Sequence, residues 1–366
     1  MKSYFLTFAA TILDLILCNS CTRTELKQSN DTWTSFYNKD STLIGYKDKN
    51  GIVKIEPKFT TYIIADKFDN IIAATEESKG QWKTYYLTKT GRIIGRDSLL
   101  IFDNTPDCES EGFIRFKDSK TDKVGMFNKN GDVVIPAEYS DLTRVTNGMV
   151  IALKGATKKQ EGEHFSWVGG KELLIDTHNK VLIDGFPYTR SLNFFSLEKT
   201  KTPHSDTTRK SFLAKDGSWY SFIDFEKEFT QWLMNDLFVN LNIKKLTDVS
   251  YDTIAFLDHE NNTGSSSKEK FIKNNFLVLK NGLLEVLNPK NEYFISIDFP
   301  TIEEAKFQKY FNNCGEVKEW IYPVMVIAIS HGSGVKSSQN LYQFLRTDNG
   351  YKLIDVTIRN EKINSN

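Results

Sequence analysis

The chain has 366 residues and equal numbers of basic and acidic side chains, 47 of each, so its formal net charge is zero. This balance excludes a broad basic field that would attract nucleic acid, and we expect no nucleic-acid partner. A hydrophobic fraction of 40% with 26% charged residues excludes a disordered chain and a polytopic membrane protein. The aromatic fraction of 13% favours sheet-rich packing, and the length predicts about two domains.

Residues 1–20 have the pattern of a secretory signal peptide. The apolar stretch Tyr4–Cys18 is short and polar sequence follows it closely, which is typical of a cleaved signal. Ser20 and Cys21 resemble the lipobox of bacterial lipoproteins, in which a small residue precedes the lipid-modified cysteine. The resemblance implies that Cys21 carries a lipid and anchors the protein in the bacterial cell envelope, at the outer membrane or periplasmic face. An ordinary cleaved signal or an uncleaved membrane anchor is the alternative.

Residues 21–39 are predicted to be a linker, and residues 40–218 are organised by a repeated turn. A four-residue polar turn recurs about every 40 residues, and its last residue is Gly51, Gly91, Gly131, Asn179 or Gly217. Asparagine is the best substitute for glycine where the backbone needs a positive φ, so Asn179 fits the same turn. The regular spacing therefore predicts five related units.

The flanks of the turns predict that each unit is made of β-strands. A short apolar alternation follows the turns, as in Val133-Val134-Ile135, and an aromatic residue follows in two copies, at Phe59 and Tyr139. Each unit then reads as strand, turn, strand, loop and strand. Because a unit of about 40 residues cannot bury its own apolar face, neighbouring units must stack. We expect a β-repeat array, either closed like a propeller or open like a solenoid.

Two of these units follow the pattern of a known repeat. Residues 45–59 and 124–139 each contain a glycine, a short apolar strand, a polar turn ending in glycine, an apolar strand with proline, and an aromatic residue. In this order they resemble the WG-repeat (KWG-type) family, with Ile44 and Val124 standing where the family has tryptophan. The resemblance spans roughly residues 40–185. It implies a β-rich binding surface in an envelope protein and supplies no catalytic residues.

Residues 219–366 are predicted to form a separate α+β domain. The pattern predicts helices over 222–239 and 301–311, a loop over 260–268, a hairpin over 276–287 turning at Asn281-Gly282, and strands over 253–257, 320–329, 341–346 and 351–358. A stray repeat unit is the alternative for the hairpin. This order of elements resembles cystatin-like and nuclear-transport-factor-like folds. In those folds a curved antiparallel sheet wraps a helix around an apolar pocket.

The sequence offers no convincing catalytic or metal site, and we expect no cofactor. None of the five histidines has a metal-ligand spacing, and the segment from His331 to Gly334 is interpreted as a hairpin loop. Residues 258–269 partly imitate a calcium loop, but the glycine is misplaced and a solvated loop is the better interpretation. Cys108 and Cys314 are expected to be buried free thiols, with a disulfide across the two predicted domains as the alternative.

The sequence therefore predicts a non-enzymatic envelope lipoprotein whose β-repeat surface binds another envelope protein or a glycan. The candidate binding residues are Lys49, Asn50, Lys129 and Asn130 in two repeat turns, together with His331. An exposed aromatic patch bordered by the two lysines is expected. The alternative is small-molecule binding or hydrolysis in a pocket of the C-terminal domain, which an apolar cavity with one or two converging acids or His331 would support. A purely structural role ranks third.

Overall fold

The computed structural model describes residues 31–61, 65–187, 189–298, 305–332 and 337–364. The predicted signal peptide, Cys21 and residues 22–30 of the predicted linker lie outside the described residues. The described end of that segment is not a linker, because Trp33–Tyr37 form a strand of the first sheet. The fold is mainly β, with 50% strand and 13% helix, and one sheet curls into a half-barrel, as expected for a β-repeat array with an α+β region. No helix within the described ranges is long and apolar enough to cross a membrane.

The array begins with a seven-stranded sheet. Its strands are β1 (Trp33–Tyr37), β2 (Leu43–Lys47), β3 (Val53–Thr60), β4 (Lys67–Phe68), β5 (Ile71–Ser78), β6 (Gln81–Thr88) and β7 (Ile93–Ile94). They lie in the order β4-β1-β2-β3-β5-β6-β7. Neighbouring strands are antiparallel, which is the pairing that short hairpin turns produce.

Smaller sheets continue the array. Their strands are β8 (Ile101–Phe102), β9 (Thr105–Pro106), β10 (Phe113–Lys117), β11 (Val124–Asn128), β12 (Val133–Tyr139), β13 (Asp141–Leu142), β14 (Met149–Lys154), β15 (Thr157–Glu161), β16 (His164–Val168), β17 (Lys171–Asp176), β18 (Val181–Asp184), β19 (Leu192–Thr200), β20 (Arg209–Leu213) and β21 (Trp219–Asp224). The sheets are β8-β9, β10-β11-β12, β13-β14-β17-β18, β15-β16 and β19-β21-β20. The last sheet extends to Asp224, six residues beyond the predicted end of the repeat domain at residue 218.

The five repeated turns share one backbone geometry. Their last residues all have positive φ: Gly51 81°, Gly91 87°, Gly131 81°, Asn179 63° and Gly217 84°. In each turn the last residue donates its N–H to the carbonyl of the first. In three of the five turns, the first residue is Asp48, Asn128 or Asp176, and its side-chain oxygen accepts two further hydrogen bonds from backbone N–H groups. Asn128 Oδ1, for example, accepts from the N–H groups of Asn130 and Asp132. The repeat prediction is confirmed.

Neighbouring units bury one another, as the repeat argument requires. Tyr86 of β6 packs with Phe116 and Phe127 of the next sheet. The other face of that sheet packs on the following unit, where Met126 and Leu173 belong to one cluster. The sheet β10-β11-β12 therefore has an apolar layer on both faces, and stability depends on contacts between units.

Among the described residues, the C-terminal part combines three α-helices with one six-stranded sheet. Its helices are α1 (Phe225–Trp232), α2 (Ile243–Asp248) and α3 (Lys268–Leu284), and its strands are β22 (Ser250–Leu257), β23 (Thr263–Ser267), β24 (Tyr293–Asp298), β25 (Val324–His331), β26 (Ser338–Thr347) and β27 (Gly350–Thr357). A π-helical turn follows α1 at Leu233–Leu237, and 3-10 turns lie at Glu285–Leu287 and Ala305–Tyr310. The sheet order is β23-β22-β27-β26-β25-β24, and β22 pairs with β27 in parallel rather than antiparallel.

Several predicted elements of this part are corrected. The predicted hairpin over 276–287 is the second half of α3, because its buried residues follow a helical period, as Leu279 and Leu283 do. Gly282 marks close packing there rather than a turn: a Cβ on it would lie 1.8 Å from the Tyr342 hydroxyl. The predicted loop over 260–268 contains β23. The first predicted helix begins only at Phe225, after its N-cap Asp224.

The second predicted helix, over 301–311, begins outside the described residues, and its described part is the 3-10 turn. The three closing strands are confirmed with boundaries shifted by a few residues.

Candidate functional site

Lys49, Asn50, Lys129 and Asn130 all lie at exposed turn tips of the array. The turns are rigid because their own side chains hold the backbone. Asp48 Oδ1 accepts from the N–H groups of Asn50 and Ile52 at 2.9 and 3.0 Å. Its other oxygen pairs with Lys54 at 3.1 Å. The tips therefore present exposed side chains from a fixed loop.

The third turn also contacts the second unit. Arg92 Nη1 donates to the carbonyl of Asn130 at 2.8 Å and pairs with Asp132 at 2.7 Å. Gly131 packs closely on Ile94: a Cβ on this glycine would lie only 2.9 Å from the Ile94 Cδ1 atom. Successive turns are thus fixed relative to each other by contacts between units.

Exposed aliphatic side chains recur beside these turns. Val53, Ile93 and Val133 each lie two residues after the turn glycine, and they are 40%, 41% and 54% exposed. Each pairs with the residue just before its turn, namely Lys47, Leu87 and Phe127. We call these three residues the aliphatic positions. Scattered exposed apolar residues are ordinary, but recurrence at one register in successive units is a pattern.

The expected aromatic patch is not found at these turns. Phe59 and Tyr139, the aromatic residues of the repeat pattern, are buried because they fill the layers between sheets. The exposed apolar side chains next to the turns are aliphatic. The array's exposed aromatic residues lie on other elements: Tyr37, Trp82, Phe102, Phe165 and Phe195.

A loop of the C-terminal part docks on the array. We call Asn312–Glu316 the clasp; it repeats the geometry of the array's own turns, with Gly315 at φ 73° and Asn312 Oδ1 accepting from Cys314 and Glu316. Its carbonyl at Asn313 accepts the N–H of Lys67 at 3.1 Å. A disulfide joins Cys314 to Cys108 with a Cα–Cα distance of 6.2 Å.

The disulfide corrects the expectation of two free thiols. A sequence separation of 206 residues gave no sign that the two cysteines meet. The clasp supplies the missing contact, because it carries Cys314 onto the loop that contains Cys108. The sequence did hold a signal: Asn312-x-x-Gly315 matches the repeat turn in which Asn128 and Gly131 are the first and last residues.

A network of charged side chains is centred on the buried Asp107, which precedes Cys108 in the sequence. Asp107 contacts Arg115 at 2.6 Å and Arg144 at 2.9 Å, and Arg144 also pairs with Glu316 of the clasp. Burial alone would raise the pKa of Asp107, but the two guanidinium groups outweigh it and lower the pKa to about 2. The carboxylate therefore stays ionised and links two array units to the clasp.

His331 lies away from the array, at the end of β25. Its Nδ1 atom is 3.7 Å from Glu285 Oε2. Its Nε2 atom and the Tyr342 hydroxyl are buried without a hydrogen-bond partner within the described part of the chain. The structure thus separates His331 from the four turn residues and places it beside the acid Glu285.

The segment that imitates a calcium loop is another turn of the repeat type. Asp258 Oδ1 accepts from the N–H groups of Glu260 and Asn262, and Asn261 has φ 67°. Its carboxylate therefore holds the β22–β23 turn. Among the described residues, no group of three or more His, Cys, Asp or Glu side chains is arranged to hold a metal ion.

Comparison with known proteins agrees with this geometry. Residues 125–156 match the family model of the WG-containing repeat. The match begins in β11 and covers the third turn and β12 to β14. A search of curated proteins gives no significant match. The chain is therefore a β-repeat protein with a WG-type repeat at its third unit.

Proposed function

We propose that this protein is a non-enzymatic binding protein of the bacterial cell envelope, anchored through a lipid on Cys21. Its partner is another envelope protein, which binds the array at the turn tips and the aliphatic positions. The observation that carries the proposal is the recurrence of Val53, Ile93 and Val133 as exposed apolar residues at one register. Apolar surface between charged turn tips is a common composition of transient protein interfaces.

The rigidity of the turns supports the same function. Backbone and side-chain hydrogen bonds hold each tip, so little conformational freedom is lost when a partner binds Lys49 or Lys129. The clasp shows that the array surface can hold a polar turn through backbone, ionic and covalent contacts together. A pocket in the C-terminal part has less support, because apolar side chains of α1, α3 and the sheet fill the space between them.

The test is affinity capture after crosslinking in intact cells, with three substitutions in one variant: Val53→Thr, Ile93→Thr and Val133→Thr. Threonine keeps the β-branched shape that strands favour and removes apolar surface. The matched control changes Ile101, Val168 and Val239 to threonine; these are 53%, 48% and 50% exposed and lie elsewhere.

We expect one dominant protein partner with the wild type and the control, and at least a tenfold lower yield with the aliphatic variant. Equal yields from both variants would contradict the proposed surface. A Cys21→Ala variant should leave the membrane fraction; its retention there would contradict the lipid anchor.

A further inference from the structure

An open groove of mixed polar and apolar lining lies where the last sheet of the array meets the C-terminal part. It has a volume of about 600 Å³, and it is lined by the outer face of α1, the π-helical turn, Thr207 before β20 and Ile295 of β24. We infer that this groove binds a neutral saccharide. The inference goes beyond the proposed function, because it concerns a separate surface and a different class of ligand.

Four of the polar side chains that line the groove are exposed and available to a ligand. Glu226, Lys227, Gln231 and Asn235 line it, and their side chains make no hydrogen bond or ion pair with the residues that the structure describes. Charged residues of the neighbouring α2 are instead paired; Lys245, for example, contacts Asp236 at 3.0 Å. A carboxylate, an ammonium group and two carboxamides thus converge on one groove with their hydrogen-bonding capacity unused.

The walls of the groove are fixed. Thr208 donates its hydroxyl to Asp206 at 2.7 Å, and Thr230 donates its own to the carbonyl of Glu226 at the same distance. Burial, and after it the nearby Asp224, raises the pKa of Glu226. Glu226 is nevertheless an exposed residue, so its carboxyl group is accessible to a ligand in the groove.

The π-helical turn is an independent indication of function. Leu233–Leu237 form it, and both end residues are fully buried in the core. The widened turn places Met234 and Asn235 in the groove lining. π-Helical turns are rare in proteins and occur frequently at functional sites, because the extra residue disturbs regular helical hydrogen bonding and is retained only where its placement matters.

The chemistry of the lining selects the ligand class. Carboxamides and a carboxylate both form paired hydrogen bonds with neighbouring hydroxyl groups, and the ammonium group donates further bonds. Met234 and Ile295 provide apolar contact for the C–H groups of a sugar ring. Glu226 and Lys227 carry opposite charges, and the buried Asp224 is already paired with Lys210, so the groove has no net charge that would select an ion. Its exposed polar side chains disfavour a purely apolar ligand. A neutral polyhydroxylated molecule satisfies all of these groups.

The experiment is titration of the full chain with neutral tetrasaccharides of β-linked hexose and β-linked N-acetylhexosamine, followed by calorimetry. The test variant carries Gln231→Ala and Asn235→Ala. The control variant carries Gln160→Ala and Asn349→Ala, which lie on exposed loops and strands elsewhere. Thermal melting monitored by circular dichroism establishes that both variants are folded.

We expect at least one tetrasaccharide to bind wild type and control equally, and the test variant to lose at least tenfold in affinity. As a second variant, Glu226→Gln should weaken binding while keeping the side-chain shape. Absence of binding by both tetrasaccharides, equal binding by the test variant, or binding of unstructured peptides in place of sugars would overturn the inference. None of these results depends on the aliphatic positions, so the proposed function stands or fails separately.

Discussion

Removal of the Cys108–Cys314 disulfide tests how firmly the clasp joins the two parts of the chain. In the chain-entropy account, a crosslink stabilises the fold by restricting the unfolded state. The sequence separation here is 206 residues. For a loop of this length the relation gives about 5 kcal/mol at room temperature. Measured losses on removing native disulfides are about 2–5 kcal/mol.

The clasp keeps other contacts when the disulfide is absent. Arg144 still pairs with Glu316, and Lys67 still donates to the carbonyl of Asn313. We therefore expect a folded Cys108→Ser/Cys314→Ser double variant whose free energy of unfolding is about 2–5 kcal/mol lower.

The assay is urea unfolding followed by tryptophan fluorescence, with and without reductant. Reductant should lower the midpoint of the wild type to that of the double variant and leave the double variant unchanged. Alkylation before reduction should leave Cys108 and Cys314 unmodified in the wild type. If both thiols are alkylated without reductant, and the wild type and double variant unfold at the same urea concentration, the reasoning is refuted.

Three further predictions concern single side chains. Burial raises the pKa of Asp355 to about 6, above its ordinary value, so ionising this side chain costs more free energy in the folded state than in the unfolded state. Asp355→Asn should therefore stabilise the protein by about 1–3 kcal/mol at pH 7 and have no effect below about pH 4. Equal gains at both pH values in urea unfolding would contradict this. The pKa of Asp107 is shifted in the opposite direction, so the stability that this side chain contributes is lost as the pH falls from about 4 towards 2. Asp107→Asn should therefore make the free energy of unfolding less dependent on pH in that range. Gly282→Ala should destabilise the protein by about 1–3 kcal/mol because the added Cβ clashes with the Tyr342 hydroxyl, although alanine favours helices. Adding Tyr342→Phe should restore part of that stability. Additive effects of the two substitutions on the free energy of unfolding would show that the two residues do not interact.

The features of the fold that the sequence predicted are those that depend on residues close together in the sequence. A turn of this type needs a residue with positive φ at its end, and glycine meets this need at Gly51, Gly91 and Gly131, where it is recognisable in the sequence. Stacking followed from the small size of the unit. The period, the turns and the β-class were therefore predictable.

The errors arose where tertiary packing outweighs local signals. Asn281-Gly282 has the composition of a hairpin turn, yet it lies inside α3 because the apolar residues around it are buried at helical spacing. The disulfide was missed because it depends on a contact between distant segments. The groove side chains were missed because exposed polar residues on a helix usually carry no functional signal, and only the structure shows that they converge.

The measurement that tests the central claim most directly is site-specific photocrosslinking in intact cells. A photoreactive amino acid is placed at position 93 or 133 in the array, or at position 168 or 239 as controls of similar exposure. The binding account predicts that positions 93 and 133 crosslink to the same envelope protein and that positions 168 and 239 do not. Crosslinks to one protein from all four positions, or no crosslink from positions 93 and 133, would contradict it.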